Sequence, residues 1–371
     1  MQFIDLAAQQ ARLKDKIDAR IQAVLSHGKY ILGPEVAELE QKLAEFCGAK
    51  HCIACANGTD ALLLALMALN VRTGDAVICP SFTFAATAEV VPSLGATPIF
   101  ADIDPDTYTL DPASLQRCIA LARDLGLTPR VVIPVDLFGL AADHDAIAAI
   151  AAEHDMTVID DAAQGFGAGY HGKRAGGIGP LATTSFFPAK PLGCYGDGGA
   201  VFTDDTATAE LLSSYRFHGK GTQKYDNVRI GMNSRLDTLQ AAILLEKLAV
   251  YSDELEARDR VAQRYTDTIS QAFKTPTVPQ GYTSVWAQYT LLAQSEDHRS
   301  RAIEGLKSQG IPTAIYYPLP LHQQTAYAKF PQDPNGLAVS EACAQTAFSL
   351  PMHPYLSTDE QDRVIAALAQ V

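Results

Sequence analysis

The chain has 371 residues, of which 47% are hydrophobic and 19% charged, and its formal net charge at pH 7 is −13. This length and composition predict a globular protein of two domains and exclude a disordered or fibrous one. The acidic balance argues against binding to nucleic acid or to an anionic membrane surface, because both need clustered lysine and arginine.

Other bulk features place the protein in the cytoplasm. We expect no membrane span, because the sequence lacks a run of about 20 apolar residues, and the start MQFIDLAAQQ does not resemble a secretion signal. The seven cysteines are an odd number spread over a long chain, which predicts reduced thiols. Cys52 and Cys55 form a C-x-x-C without a second pair at ligand spacing, so we predict no metal site.

Short apolar, β-branched runs alternate with amphipathic segments over the first two-thirds of the chain. Near-continuous apolar runs are typical of strands that are buried on both faces, and the amphipathic segments predict crossover helices, for example over 143–154. The pattern therefore indicates an α/β fold. The predicted strands are 51–54, 76–80, 98–102, 131–136, 157–160, 183–187 and 200–203.

The last third of the chain has a different pattern. A long helical pattern from 236 to about 271 predicts a bridge between two domains. We place the large domain at 1–245 and a small α+β domain at 246–371. Its predicted elements are a strand at 285–292, a helix at 299–309, a strand at 313–317, a helix before SLPMHP and a helix at the C-terminus.

The first candidate site residues follow the first predicted strand, where the chain reads NGTDALLLAL. Gly58 and Thr59 lie where a strand gives way to a helix of good helix formers. First-turn N–H groups, the helix dipole and a threonine hydroxyl suit phosphate, and glycine permits close approach of the main chain. An ordinary helix cap gives the same pattern, so this segment alone leaves both interpretations open.

Two carboxylates end a later strand, in the run VIDDAAQGFGA. Open α/β sheets bind ligands at the carboxyl ends of their strands, which makes Asp160 and Asp161 candidates. Asp161 is suited to keep a pyridine nitrogen protonated, and Gln164, one helical turn later, is suited to donate to a phenolate oxygen. The alternative is that the pair caps the segment that follows.

A single lysine stands in the glycine-rich segment TTSFFPAKPLGCYGDGGA. Lys190 has phenylalanine, proline and leucine neighbours along the chain, and an apolar setting lowers the pKa of an amine and makes it nucleophilic. Ser185 precedes it by five residues and is suited to donate to a phosphate. A surface lysine in a turn is the alternative. A dinucleotide fingerprint is excluded, because the glycine spacing differs and a strand follows.

Together these segments resemble the sugar aminotransferases of the DegT/DnrJ/EryC1/StrS family. The resemblance covers essentially the whole chain and includes ILGPEVAELE, NGTDALLLAL, SFTFAATAE, IDDAAQGFGA, SFFPAKPLGCYGDGGA and MNSRLDTLQAAIL. It implies the type I aspartate-aminotransferase-like fold, with a mixed, mostly parallel central sheet and a smaller C-terminal α+β domain. It also implies pyridoxal 5'-phosphate, used in turn as pyridoxamine 5'-phosphate, and a homodimer whose sites are shared across the interface.

The resemblance also implies a role for each candidate residue. Lys190 becomes the catalytic lysine that holds the cofactor as a Schiff base and moves the proton, and Asp161 becomes the catalytic partner of the ring nitrogen. The implied cofactor contacts are Gly58, Thr59 and Ser185 at the phosphate, Phe84 stacked on the ring, Gln164 near the phenolic oxygen, and Asn233 of the partner subunit at the phosphate. The implied substrate contacts are Arg235, Tyr316 and His322.

The implied reaction moves an amino group from L-glutamate to a nucleotide-linked keto-sugar for polysaccharide or glycan synthesis. One substrate is UDP-linked 3-keto-N-acetylglucosaminuronate, whose carboxylate Arg235 would meet; the other is a 4-keto-6-deoxy sugar of the UDP-bacillosamine or dTDP type. Tyr316 departs from the histidine expected with the first. Lys190 replaces the histidine of the family's dehydratases and so favours transamination. The intact Lys190, Asp161 and Gln164 argue against a non-catalytic cofactor-binding sensor.

Overall fold

The computed structural model describes residues 1–223, 225–269 and 271–371. The helices are α1 (Leu6–His27), α2 (Pro34–Cys47), α3 (Gly58–Ala68), α4 (Ala86–Ser93), α5 (Pro112–Asp124), α6 (His144–Glu153), α7 (Thr206–Tyr215), α8 (Thr238–Leu248), α9 (Tyr251–Thr268), α10 (Glu296–Ser308), α11 (Ala338–Thr346) and α12 (Thr358–Leu368). The strands are β1 (His51–Cys55), β2 (Asp75–Pro80), β3 (Thr97–Ala101), β4 (Thr128–Val132), β5 (Thr157–Asp161), β6 (Gly169–Tyr170), β7 (Lys173–Arg174), β8 (Leu181–Ser185), β9 (Gly199–Thr203), β10 (Tyr282–Thr283), β11 (Tyr289–Leu292) and β12 (Ala347–Leu350).

The seven strands predicted in the first two-thirds form one central sheet, in the order β1-β9-β8-β5-β4-β2-β3. Strand β9 is antiparallel to both of its neighbours, and the other pairs are parallel. The predicted mixed, mostly parallel sheet is therefore confirmed, with strand ends shifted by a few residues. Six strands run in one direction, so their carboxyl ends share one edge of the sheet.

Both faces of the central sheet are covered. Alternate residues of a strand point to opposite faces, so Val77 packs in a cluster with α3 and α4, whereas Ile78 packs in a cluster with α5 and α6. This double burial explains why the strands are apolar almost throughout. No helix in the described part of the chain is long and apolar enough to cross a membrane.

The long helical stretch is divided in two. Helix α8 ends at Leu248 and α9 begins at Tyr251, so the predicted helical stretch is formed by two helices with a break between them. The apolar face of α8 packs with α2 against the central sheet, while Val261 and Tyr265 of α9 pack in the C-terminal core, and one straight helix would not serve both. Position 270, near the predicted end, lies outside the described residues.

The C-terminal third forms its own core around the antiparallel pair β11 and β12, flanked by α9, α10 and α12. The predicted helices are confirmed. The strand predicted at 285–292 covers only Tyr289–Leu292, because Trp286 has a left-handed backbone and Val285 hydrogen-bonds to the Gly139 carbonyl. The strand predicted at 313–317 is reduced to one bridge, between Ala314 and Ser349. The separate core supports a domain boundary between residues 245 and 246, which stays a proposal.

Candidate active site

A cradle suited to a phosphate lies where β1, α3 and β8 meet. Gly58 and Thr59 form the first turn of α3, and the side chain of Asn57 caps this helix by accepting from the Asp60 N–H at 2.8 Å. A Cβ atom on Gly58 would lie 2.7 Å from the Ser185 Cβ, so this approach requires glycine. The structure thus brings together the three predicted phosphate contacts at a helix N-terminus, where an anion is stabilised.

Asp161 lies at the carboxyl end of β5 and is 4% exposed. Its Oδ2 accepts from the Thr87 hydroxyl at 2.8 Å and its Oδ1 from the Ala163 N–H at 3.2 Å. Burial raises the pKa of Asp161, while the Thr87 hydrogen bond and the positive charge of Lys190 act against the rise. The carboxylate is thus fixed, and it is close enough to Lys190 to interact electrostatically.

Lys190 is half-buried in the loop between β8 and β9. Its N–H donates to the Phe187 carbonyl at 2.9 Å, and Lys247 on α8 donates to the Gly193 carbonyl at 2.7 Å, so the loop is held at both ends. Burial lowers the pKa of Lys190, and the charge of Asp161 opposes that change. A lowered pKa gives a larger fraction of the neutral, nucleophilic amine.

Gln164 is 4% exposed, and both ends of its amide are engaged. Its Oε1 accepts from the Phe138 N–H at 2.9 Å, and its Nε2 donates to the Tyr317 hydroxyl at 3.0 Å. Burial raises the pKa of Tyr317 far above its usual range, so the phenol is neutral. These two hydrogen bonds hold the amide of Gln164 in one orientation.

Phe84 lies in the turn between β2 and α4, beside Tyr317. The side chain is 57% exposed, which is unusual for phenylalanine beside a polar site, and its ring centroid lies 6.5 Å from that of Tyr317. An exposed aromatic face of this kind is available to stack on a planar group.

Thr87 and Tyr317 were not predicted from the sequence as residues of the site. Thr87 stands in the quoted run SFTFAATAE, and a hydroxyl in the first turn of a helix was the available signal. Tyr317 follows Tyr316, but two adjacent tyrosines give no indication of which one reaches a site.

Asn233 and Arg235 lie together beside the end of β1, where the Ala56 N–H donates to the Ser234 hydroxyl at 3.2 Å. Arg235 donates to Asn233 Oδ1 at 2.6 Å, and its guanidinium lies 4.8 Å from the centre of the Phe217 ring. Within one protomer these two residues thus pair with each other. Their predicted contacts with phosphate and substrate stay predictions.

Tyr316 and His322 occupy different settings. Tyr316 is half-buried, with its ring centroid 6.3 Å from that of Phe3. The His322 ring is 6% exposed; Nδ1 lies 2.7 Å from the Ser81 Oγ and Nε2 lies 3.1 Å from a Glu341 oxygen. Since both ring nitrogens have protein partners, the predicted substrate contact of His322 gains no support. The placement instead favours a role in holding the turn after β2.

The donor set fits pyridoxal phosphate. A helix N-terminus with hydroxyls suits the phosphate, and a buried carboxylate suits a cationic ring nitrogen. An amine of lowered pKa suits the aldehyde, and the oriented amide of Gln164 is suited to a phenolate. The close approach of Gly58 to Ser185, which a Cβ atom would prevent, gives the phosphate its cradle.

Comparisons with known proteins agree with this reading. The family model of the DegT/DnrJ/EryC1/StrS aminotransferases matches residues 11–369. The chain is 52% identical over 371 residues to a UDP-2-acetamido-2-deoxy-3-oxo-D-glucuronate aminotransferase of Pseudomonas aeruginosa, covering 99% of both chains.

Two solved structures are also similar. A DegT/DnrJ/EryC1/StrS aminotransferase from Brucella abortus has a TM-score of 0.98 and 52% identity and covers 100% of this chain and 99% of its own. A Bacillus subtilis protein solved with bound cofactor PMP has a TM-score of 0.84 and 29% identity, covering 96% of this chain and 81% of its own. The chain therefore belongs to the DegT/DnrJ/EryC1/StrS aminotransferase family and uses pyridoxal 5'-phosphate.

Proposed function

We propose that the protein transfers an amino group from L-glutamate to UDP-linked 3-keto-N-acetylglucosaminuronate. The observation that carries the proposal is that Lys190 lies close enough to the buried Asp161 to interact with it electrostatically, in a chain that also brings Gly58 against Ser185. The choice of sugar is supported by the name of the Pseudomonas aeruginosa relative, which matches this chain along its whole length.

Each residue has a defined task in this reaction. The bound cofactor supplies an aldehyde that accepts the amino group and a ring that withdraws electrons. Lys190 would hold the cofactor aldehyde through Nζ and would move a proton as general base and then general acid. Asp161 would stabilise a positive charge on the ring nitrogen through its oriented carboxylate. Gln164 would donate from Nε2 to the phenolic oxygen.

Arg235 is proposed to bind the uronate carboxylate of the sugar. A guanidinium binds a carboxylate through two parallel hydrogen bonds, and its Nε has no hydrogen-bond partner among the described residues. Tyr316 is proposed to stand near the same group, in place of the histidine expected there. A 4-keto-6-deoxy sugar has no carboxylate for Arg235 to bind, which makes it the lesser candidate.

We further propose a homodimer in which Asn233 reaches the phosphate in the partner's site. Large apolar side chains are exposed on two segments, the one before α2 and the one before Asn233. Tyr30 and Ile31 are 49% and 47% exposed, and Val228 and Ile230 are 54% and 89% exposed. Exposed apolar side chains grouped in this way favour a protein interface.

The proposed function is tested by incubating the purified holoprotein with L-glutamate and UDP-linked 3-keto or 4-keto sugars, followed by mass spectrometry. We expect conversion of ketone to amine with the 3-keto uronate. Lys190→Ala abolishes conversion, while the matched control Lys16→Ala, on the exposed face of α1, leaves it unchanged. Amination of the 4-keto sugars alone would contradict the substrate, and appreciable turnover by Lys190→Ala would contradict the mechanism.

A further inference from the structure

Three buried titratable side chains lie next to the active site without a part in the chemistry above. Asp136 follows β4, His144 is the first residue of α6, and Asp160 precedes Asp161 in β5. None is more than 4% exposed. Because successive residues of a strand point to opposite faces, Asp160 is directed towards α6 and Asp161 towards α4. The acid–histidine triad of Asp136, His144 and Asp160 therefore lies behind Asp161.

The triad is held together by short polar contacts. His144 Nε2 lies 3.0 Å from Asp136 Oδ1 and 3.7 Å from Asp160 Oδ1. The Ala142 N–H donates to Asp136 Oδ1 at 2.9 Å, and the Gly176 N–H donates to Asp160 Oδ2 at 3.3 Å. Asp136 Oδ2, Asp160 Oδ1 and His144 Nδ1 have no hydrogen-bond partner among the described residues. Two buried carboxylates so sparsely bonded need a compensating positive charge.

His144 is the group that supplies this charge. In the described part of the chain, neither Asp136 nor Asp160 forms an ion pair with lysine or arginine. Burial lowers the pKa of His144, but the negative charges of Asp160 and Asp136 outweigh burial and raise it to about 9. The other titratable groups facing the triad are Asp143 at the N-cap of α6, Tyr170 on β6, Tyr282 on β10, Cys47 at the end of α2 and Asp161 on β5.

The triad is connected to the cofactor residues through the turn that contains Asp136. The Asp136 N–H donates to the Asp161 carbonyl at 3.1 Å, and the Phe138 N–H donates to Gln164 Oε1 at 2.9 Å. A Cβ atom on Gly165 would lie 2.3 Å from the Asp136 Cβ, so the turn and the segment after β5 are in direct contact. A change in the triad therefore acts on both Asp161 and Gln164.

We propose that His144 is a positioning residue for the cofactor: as an imidazolium it offsets the charges of Asp136 and Asp160, holds the turn at 136–142, and reduces the negative charge that opposes ionisation of Asp161 beside the ring nitrogen. This inference rests on the proposed position of the ring at Asp161. Its consequence is electrostatic. Burial and the charge of Asp136 raise the pKa of Asp160 well above its usual range, and the positive charge of His144 acts against this rise. In the proposal His144 keeps both carboxylates ionised, so the triad carries one net negative charge, which the reacting groups experience across the sheet.

The net charge of the triad is tested with three variants of the protein. Asp160→Asn removes the net negative charge of the triad, so it lowers the pKa of the bound cofactor chromophore, read from its absorbance against pH, by about half a unit or more. The double variant Asp160→Asn/His144→Gln restores one negative charge, so the pKa returns towards the wild-type value. The matched control His154→Gln, at the other end of α6, leaves the titration unchanged.

If the triad had only a structural role, the two substitutions would each disturb the site. The double variant would then shift the pKa of the chromophore further and would not return it towards the wild-type value. An unshifted titration in Asp160→Asn, or a double variant displaced further than the single one, overturns the proposal. Thermal unfolding of each protein checks that it folds. If the double variant does not fold, the proposal is judged from the Asp160→Asn titration and from histidine NMR of the apoprotein.

A second measurement is independent of the cofactor. In the apoprotein, nitrogen-15 NMR of the histidine rings shows His144 doubly protonated at pH 7.5, and Asp160→Asn lowers its pKa. A neutral His144 ring at that pH, or one coordinated to a metal ion, overturns the proposal. Failure of the protein to bind pyridoxal phosphate counts against the proposed function alone, because this measurement needs no cofactor.

Discussion

The polar groups of the cleft are fixed by partners that lie far away in the sequence. The hydroxyl of Thr87 orients Asp161, which is 74 residues later, and the main chain at Phe138 orients Gln164. Groups held in this way need little reorganisation when charge develops during a reaction, which is the main source of electrostatic catalysis. At the scale of single residues, activity is therefore expected to depend on the supporting hydrogen bonds as well as on Lys190 and Asp161.

We predict that Thr87→Val lowers kcat/KM by about tenfold, because a hydrogen bond to a charged group contributes about 1.5–3 kcal/mol. Loss of this bond raises the pKa of Asp161 and would weaken the ion pair proposed between Asp161 and the ring nitrogen. Asp161→Asn removes the charge itself and lowers kcat by about a hundredfold or more. Steady-state kinetics at saturating cofactor measure both effects.

The rescue variant for this prediction is Thr87→Ser, which restores the hydroxyl and should recover most of the activity. Full activity in Thr87→Val would show that the hydrogen bond to Asp161 does not matter, because valine keeps the methyl group and lacks only the hydroxyl.

The phosphate cradle gives a second prediction at this scale. In Gly58→Ala the new Cβ atom would lie 2.7 Å from the Ser185 Cβ, and overpacking of this kind costs about 1–3 kcal/mol. We expect the Kd for pyridoxal phosphate, measured by titration of the apoprotein, to rise about tenfold or more. Gly179→Ala is the matched control, because a Cβ atom there meets nothing within 4 Å. Unchanged affinity in Gly58→Ala would place the phosphate elsewhere.

Among the secondary-structure elements, those with a local signal were predictable. The central strands are apolar over their whole length, and α3 begins at the predicted glycine with Asn57 as its cap. The exceptions depend on long-range contacts: residues 285–288 bond to the turn at 138–139 instead of extending β11. The break between α8 and α9 likewise depends on two cores, which no local pattern reveals.

The candidate site was predictable to a similar extent. Lys190, Asp161 and Gln164 stand in runs with a recognisable chemical logic. The partners that orient them, Thr87 and Tyr317, come from other elements and have no signal of their own. His144 in an alanine-rich helix also gave no indication of its two buried carboxylates, because Asp136 and Asp160 approach it only in the folded chain.

Helix α8 supports the loop between β8 and β9, which carries Lys190. This contact between two secondary-structure elements gives a further prediction. Lys247 is 1% exposed and donates to the Gly193 carbonyl, and burial lowers its pKa from 10.5 to about 8. Between these two values the unfolded chain binds more protons than the folded one, so this group makes stability rise with pH. Below pH 8 the buried charge opposes folding.

From pH 7.5 to 9.5 this linkage amounts to about 1–2 kcal/mol of added stability against unfolding. We expect Lys247→Met to lose that part of the pH dependence, as measured by urea unfolding at the two pH values. Lys42→Met, on the exposed side of α2, is the control and keeps the wild-type dependence. An identical pH slope in the wild type and Lys247→Met would show that burial does not lower the pKa of Lys247 in the folded protein.

At the scale of the whole molecule, the proposed homodimer would complete the phosphate site of each protomer with Asn233 of the partner subunit. Asn233 pairs with Arg235 on the same chain, and the segment before it exposes Val228 and Ile230. A second copy placed against this segment would cover the apolar side chains. It would also bring Asn233 to a phosphate held by the partner, which explains why a polar residue with a predicted cofactor role lies beside exposed apolar ones.

Mixing two inactive variants tests this arrangement. Lys190→Ala removes the catalytic amine, and Asn233→Asp places a negative charge near the phosphate, so each homodimer is inactive or nearly so. If the site is shared, a mixed dimer has one site with both defects and one site with neither. Co-expression of the two chains should therefore restore about a quarter of the wild-type activity, since half of the dimers are mixed and each has one intact site. If each protomer used its own Asn233, every site in the mixture would carry one defect and activity would stay at the average of the two parents.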